Sequence, residues 1–163
     1  ATYSCRIAEA LGISGRELTW LRIGGLLHDV GKTVVPAAVL VKPGVLNESE
    51  WDMMKRHTVV GHEIVAGLRL PFDVHSIARS HHERWDGQGY PDRLGGTDIP
   101  FHARILAVAD VWDALTTMRS YRNAFSVAEA RRILDHQSGR ALDPHIVAAF
   151  QNLFTDLPSE RRS

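Results

Sequence analysis

Apolar residues recur along this chain at intervals of three and four, the period of a helix buried on one face. Polar caps cut the pattern into segments. Ser14 and Glu17 have the spacing of a capping box, ahead of an apolar run that ends at Leu27. Asn47 and Glu50 repeat that spacing and open a second segment through Val65. A third runs from about Asp73 to Glu83, and a fourth, "ARILAVADVWDALTTM", from Ala103 to Met118. Ser126 and Glu129 give a further capping box before Arg131–Leu134. Asp143 then Pro144 is an N-cap followed by proline at the first helical position. The first residues of the chain also read as helical. Alternating β-branched runs are few, so the pattern predicts an all-α domain with no sheet. One stretch breaks the period: "DGQGYPDRLGGTDIP", Asp86 to Pro100, with four glycines and two prolines. It is expected to be a loop, and loops of this length in compact domains are often functional.

Composition narrows the function classes. A chain of 163 residues suits one domain over 1–163 with a sizeable core. It begins with Ala, already in helical sequence, which predicts a piece of a longer protein with its first helix cut short. Nineteen basic and nineteen acidic residues cancel, so no overall field draws the domain to a DNA or RNA polymer or to a membrane. No apolar run approaches the roughly 20 residues of a membrane span. No signal-peptide pattern is present. The single Cys5 excludes an internal disulfide framework and suits a reducing compartment, the cytoplasm.

The nine histidines change the picture, depending on the face each occupies. Leu18, Leu21, Gly25 and His28 share one helical face, and Met53, His57, Val60 and Ile64 share another. His81 follows Val74 and Ile77, and His82 follows Ala78. His62 falls on a more exposed stripe with Lys55, Val59 and Arg69. His75, at a helix start, is expected at the surface, and His102, His136 and His145 lie in polar or loop settings. Asp110 interrupts Ile105–Ala109 and Val111–Trp112, apolar on nearly every side. A lone buried carboxylate there is costly. Pairing with an arginine, capping a neighbouring helix and binding a metal account for it equally well. Asp113 fits a surface or ion-pair role as readily.

Together, His28, Asp29, His57, His81, His82 and Asp110 come from four helices, each on or beside an apolar face. Inward-facing helices of a bundle build metal sites in this way. The lack of cysteine ligands argues against a structural zinc site. Imidazole with carboxylate suits iron, manganese, nickel or zinc in a catalytic one. The stretch "LLHDVGK" starts as a buried helix with Leu26 and Leu27 and ends in two ligands. The two oxygens of Asp29 can bridge a pair of ions, and Gly31 is expected to free the backbone so that its neighbours converge.

"HDVGK" (His28–Lys32), "HHERWDGQGYP" (His81–Pro91) and "VADVWDALTTMRSYR" (Val108–Arg122) resemble the HD-GYP family of bacterial phosphodiesterases. The segment from Pro36 to Ile64 is similar to that family's linking segment, and the likeness runs from about Cys5 to Phe150. It implies an HD-type helical bundle with a metal centre in its core and a long GYP loop. It implies two divalent ions, sometimes three, with iron or manganese ahead of nickel or zinc. It also implies hydrolysis of cyclic di-GMP to linear pGpG, and often on to GMP. By motif, His28, Asp29, His57, His81, His82 and Asp110 match the ligands, with Asp29 bridging. Lys32 matches a lysine that faces the phosphate, Arg119 and Arg122 match phosphate-holding positions, and Tyr90 lies on the loop lining the substrate pocket. The chain departs from the family pattern in two places. A further histidine, and sometimes a glutamate, precede the position of Ala1 in the family, which leaves one metal shell incomplete here. "RSYR" also stands for a commoner Arg-Pro-Tyr-Lys/Arg.

The chemistry of the residues agrees with that resemblance. A phosphodiester is anionic and a poor electrophile, and two close ions activate water and neutralise its attacking and leaving oxygens. Lys32, Arg119 and Arg122 suit the non-bridging oxygens. Trp85 or Tyr90 can stack on guanine, and Trp85 equally suits packing. Diguanylate cyclase domains and an upstream sensor or receiver domain are the partners the family implies. Two other readings remain at this stage. One is an HD phosphohydrolase acting on another cyclic dinucleotide, such as cyclic GMP-AMP. The other is a sensing or cyclase-docking module without turnover.

Overall fold

The computed structural model describes residues 1–118 and 123–153. Arg119 and Arg122, expected on phosphate, lie outside the described residues. Eight α-helices are present among those described: α1 Thr2–Ala10, α2 Gly15–Leu27, α3 Ala37–Leu40, α4 Glu48–Gly67, α5 Val74–Ser80, α6 Phe101–Thr116, α7 Val127–Gln137 and α8 Pro144–Asn152. Short 3₁₀ turns at Val30–Val34 and Gly96–Asp98 connect them. No strand occurs among the described residues, so the all-α expectation holds.

Local caps set several boundaries. The Asn47 side chain accepts from the Glu50 amide at 2.9 Å, and Glu50 reaches back to the Asn47 amide at 2.8 Å. Ser126 and Glu129 close the same reciprocal box on α7. Asp143 caps α8, with Pro144 in its first turn. The box expected at Ser14 does not form. Glu17 instead takes His102 Nε2 at 2.9 Å, so a distant hydrogen bond outcompetes the local cap. His102, expected in a polar or loop setting, therefore ties α2 to α6.

The core gathers Ile7, Leu21, Ile77, Ile105, Leu106, Trp112, Leu134, Ile146 and Phe150, with Trp112 and Phe150 packed edge to face. Burying several such side chains, at about 1.5–3 kcal/mol each, supplies the main stabilisation of the bundle. A buried ion pair, Arg104 to Asp143 at 2.6 Å, joins α6 to the start of α8. No helix among the described residues is long and apolar enough to cross a membrane.

Two expectations about faces are corrected. Leu26 is 69% exposed, so α2 does not enter the site as a buried apolar helix. Met53 and Ile64 are also exposed. The buried face of α4 is His57, Thr58, Gly61 and Val65, small or polar residues that let other backbone approach. α4 packs against α5 and against the turn Val30–Val34.

Candidate metal centre

The site forms where three chain segments meet. α2 ends at Leu27, and His28 and Asp29 follow it into the turn Val30–Val34. That turn lies directly on the α4 backbone at Gly31. A Cβ there would sit 1.9 Å from the His57 carbonyl oxygen and 2.5 Å from the Gly61 nitrogen. Gly31 has no left-handed φ, so it serves by its lack of bulk and not by the backbone freedom the sequence suggested. The contact sets Asp29 beside His57. α5 ends at Ser80, earlier than the expected Glu83, which leaves His81 and His82 just past its C-terminus.

Asp29, His57, His81 and His82 each offer a ligand atom, all within 4.8 Å of one another. His57 Nε2 and His81 Nε2 face each other at 3.4 Å. Asp29 Oδ1 lies 3.6 Å from the first and 3.9 Å from the second. Three of the imidazoles are held by one local device. The Nδ1 of His28 donates to the carbonyl of Gly25 at 3.0 Å, that of His57 to Met54 at 2.6 Å, and that of His81 to Ala78 at 2.9 Å. Each partner stands three residues back in the chain. A carbonyl can only accept, so the proton sits on Nδ1 and a neutral ring keeps a lone pair on Nε2.

Burial keeps His57, His81 and His82 neutral. Burial pushes the pKa of His57 down and that of His81 well down, with neighbouring imidazoles adding to the effect at His81. Burial is also the main cause at His82, which falls to about 3. For Asp29 burial pushes upward. The hydrogen bond from Lys32, with the positive charge of its ammonium, outweighs it, so the carboxyl stays below its ordinary value. Lys32 Nζ meets Asp29 Oδ2 at 2.6 Å. Oδ1 is buried and has no hydrogen-bond partner among the described residues. Lone pairs and a carboxylate oxygen therefore converge with no proton between them. Such a set repels itself unless a cation sits among them. Atoms 3.4–3.9 Å apart can share an ion at the ~2.0–2.2 Å bond lengths of nitrogen and oxygen ligands. The residues fit a divalent metal.

The other expected residues occupy distinct places. His28 stands at the edge, its Nε2 3.4 Å from Asp29 Oδ2 and its ring 4.9 Å from that of His81. Asp110 is outside the four-residue cluster. It shares with His28 a cavity of about 200 Å³, closed by Ala1, Thr2, Tyr3 and Asp113. Tyr90 stacks on His82 at 5.0 Å, and its amide donates to the His82 carbonyl. Burial raises its phenol pKa, and the charges of Asp29 and Asp110 add to that. His62 and His75 pair with each other away from the centre.

Sequence reasoning missed what holds the loop in place. Glu83 is buried, and its carboxylate accepts from the amides of Asp92 at 2.6 Å and Leu94 at 3.0 Å. Burial still raises its pKa, against the lowering by those amides and that of Arg93. Arg79 grips Asp92 through two hydrogen bonds of 2.6 and 2.7 Å. A Cβ on Gly89 would lie 2.5 Å from the Glu83 Cα, so the loop rests on the chain carrying the histidines. The available signal was an acidic residue placed just before a glycine-rich loop full of unpaired amides. Also missed was a cleft of about 580 Å³ between α4 and this loop, with Trp51 and Tyr90 on its walls.

Comparisons with known proteins agree with this geometry. The family model described as an HD domain matches residues 1–146. The chain is 47% identical to the cyclic di-GMP phosphodiesterase response regulator RpfG of Xanthomonas campestris pv. campestris, over 88% of this chain and 38% of that protein. It is 42% identical to the 3'3'-cGAMP-specific phosphodiesterase 2 of Vibrio cholerae, over 90% of this chain and 28% of that one. The chain thus spans well under half the length of these relatives. In fold it matches the crystal structure of a V. cholerae cyclic GMP-AMP specific phosphodiesterase with a TM-score of 0.73 and 23% identity, over 94% of this chain and 42% of that one. A His/Asp cluster beneath a GYP loop, a matching family model and relatives of this kind lead to one conclusion: the chain belongs to the HD domain family, in its HD-GYP branch.

Proposed function

We propose that this chain is a metal-dependent phosphodiesterase that opens a cyclic dinucleotide, with cyclic di-GMP as its substrate. The observation that carries the reading is Asp29 Oδ1, a buried carboxylate oxygen with no donor among the described residues, facing the Nε2 atoms of His57 and His81. His28, Asp29, His57, His81, His82 and Asp110 would hold two divalent ions, iron or manganese, with Asp29 between them. When bound, such ions supply Lewis acidity and an activated water. The chain's own residues do the rest. The carbonyl-bound imidazoles keep their lone pairs turned inward. Lys32, which bonds to Asp29, would turn to a phosphate oxygen, and Tyr90, packed against His82, would wall the substrate side. Arg119 and Arg122 would add phosphate contacts. Hydrolysis adds water across one P–O3′ bond and gives linear pGpG, open to a second cleavage to GMP.

The response-regulator name of the Xanthomonas relative supports an upstream receiver or sensor domain, and diguanylate cyclase domains remain the proposed protein partners. The single Cys5 suits the cytoplasm. A second reading has specific support in the cGAMP-specific Vibrio relatives: the substrate is 3'3'-cyclic GMP-AMP. The test is product chromatography with both dinucleotides, alongside metal analysis, for wild type and Asp29→Asn. Turnover by wild type, with metal and turnover both lost in the variant, is the expected result. Binding without product in a metal-loaded wild type would refute the hydrolase reading and favour a sensing module.

A further inference from the structure

A ladder of rings leads away from the metal centre. His82 stacks on Tyr90 at 5.0 Å, and Tyr90 meets Trp51 edge to face at 6.0 Å. Trp51 lies in the first turns of α4, between Glu50 and Asp52, and is 46% exposed. It packs into no core cluster. It forms one wall of the cleft of about 580 Å³, within the roughly 300–1,000 Å³ typical of small-molecule sites. The opposite wall is the loop from Gly87 to Pro91 with Arg93. The charge of the cleft is uneven. Lys55 is paired with Asp52 at 2.7 Å, while no carboxylate pairs with Arg56 or Arg93 among the described residues. A chain of zero net charge thus places two unpaired guanidiniums beside an exposed indole, one ring away from its metal centre.

Each feature matches one part of a nucleotide. An indole face held by a neighbouring ring is a stacking platform for a purine. A guanidinium fork matches the oxygens of a phosphodiester. A cyclic dinucleotide has two bases and two phosphates, and each hydrolytic step opens only one phosphodiester. Resting on the function proposed above, we propose that this cleft holds the distal half of the substrate. Trp51 is the platform for one purine, and Arg56 and Arg93 grip the phosphate that is not being cleaved. In this arrangement Trp51 contributes to ground-state and transition-state binding alike, because it touches no reacting atom.

The experiment compares wild type, Trp51→Ala and Trp51→Phe with cyclic di-GMP. Stacking on one base corresponds to roughly a five- to hundredfold change in affinity. Trp51→Ala is therefore expected to raise KM by that factor while kcat moves much less, and Trp51→Phe to recover most of the loss. Intrinsic fluorescence of metal-free protein gives a reading independent of turnover. Cyclic di-GMP should quench wild type and Trp85→Phe alike, and the quench should vanish in Trp51→Phe. Arg56→Gln and Arg93→Gln should each weaken binding, less so as salt rises. Unchanged KM and quench in the Trp51 variants would overturn the proposal. So would a fall in kcat as large as the rise in KM. Wild type that is quenched but makes no product refutes the hydrolase reading and leaves the platform standing, so the two failures are distinct.

Discussion

Replacing Gly31 by alanine adds a single methyl group in the one place where it has nowhere to go. The new Cβ would stand 1.9 Å from the His57 carbonyl oxygen and 2.9 Å from the carbonyl carbon. Real Cβ contacts essentially never fall below 3.0 Å, so the turn Val30–Val34 and α4 must separate by at least about 1 Å. The atoms met are backbone, and no rotamer change can relieve them. Overpacking costs about 1–3 kcal/mol, and the rigid contact places this case near the upper end. At about 2–4 °C per kcal/mol for a domain of this size, the metal-free protein should melt roughly 6–12 °C lower. The larger effect falls on the centre. Asp29 sits on the moving turn and His57 on α4, while metal–ligand distances tolerate only about 0.2 Å. Metal retained after dialysis should drop at least about tenfold by elemental analysis. Gly67→Ala is the control, because a Cβ there meets nothing within 4 Å. It should be neutral or stabilise by up to about 1 kcal/mol. A Gly31→Ala protein with wild-type metal content and a melting temperature within about 2 °C of wild type would refute this reasoning.

Two further perturbations test the surroundings of the site. Glu83→Gln keeps the shape but turns an NH2 group toward the amides of Asp92 or Leu94. One buried donor loses its acceptor, at about 1–3 kcal/mol, so urea unfolding should shift by that amount; an unchanged midpoint would mean the loop is held elsewhere. Acidification tests the neutral imidazoles in metal-free protein. The unfolded chain takes up protons on these rings below about pH 6.5, and the fold resists, at His82 down to about 3. Their contribution is therefore present above pH 6.5 and lost on acidification, by up to about 1.4 kcal/mol per pH unit for each ring kept uncharged. Stability curves that are flat between pH 7 and 5 would show that the rings titrate normally.

What the sequence disclosed was local. Asn47 with Glu50, Ser126 with Glu129, and Asp143 with Pro144 act within one turn of chain, and each formed as its spacing indicated. Ser14 with Glu17 has the same spacing and failed, because His102 arrives from α6 and takes the carboxylate. The imidazoles and Asp29 were legible as chemistry out of place on apolar segments. Their faces were less so, since α4 buries Thr58 and Gly61 and exposes Met53. Glu83 read as the end of a helix because the glycine-rich loop after it signals free amides in general but does not mark those of Asp92 and Leu94 as its partners. Trp51 was silent for a similar reason. Its meaning lies in Tyr90, which only the folded loop brings to it.

The way the three imidazoles are anchored bears on how the site withstands genetic drift. His28, His57 and His81 are oriented by carbonyls of Gly25, Met54 and Ala78, groups that every amino acid possesses. No point substitution at those three positions can delete the acceptor, whatever side chain it brings. A site steered by carboxylate side chains would lose its aim with one codon change. This one keeps its aim as long as α2, α4 and α5 keep their pitch at the histidines, so side chains at the three acceptor positions do not set the direction of each lone pair, which is inherited with the backbone.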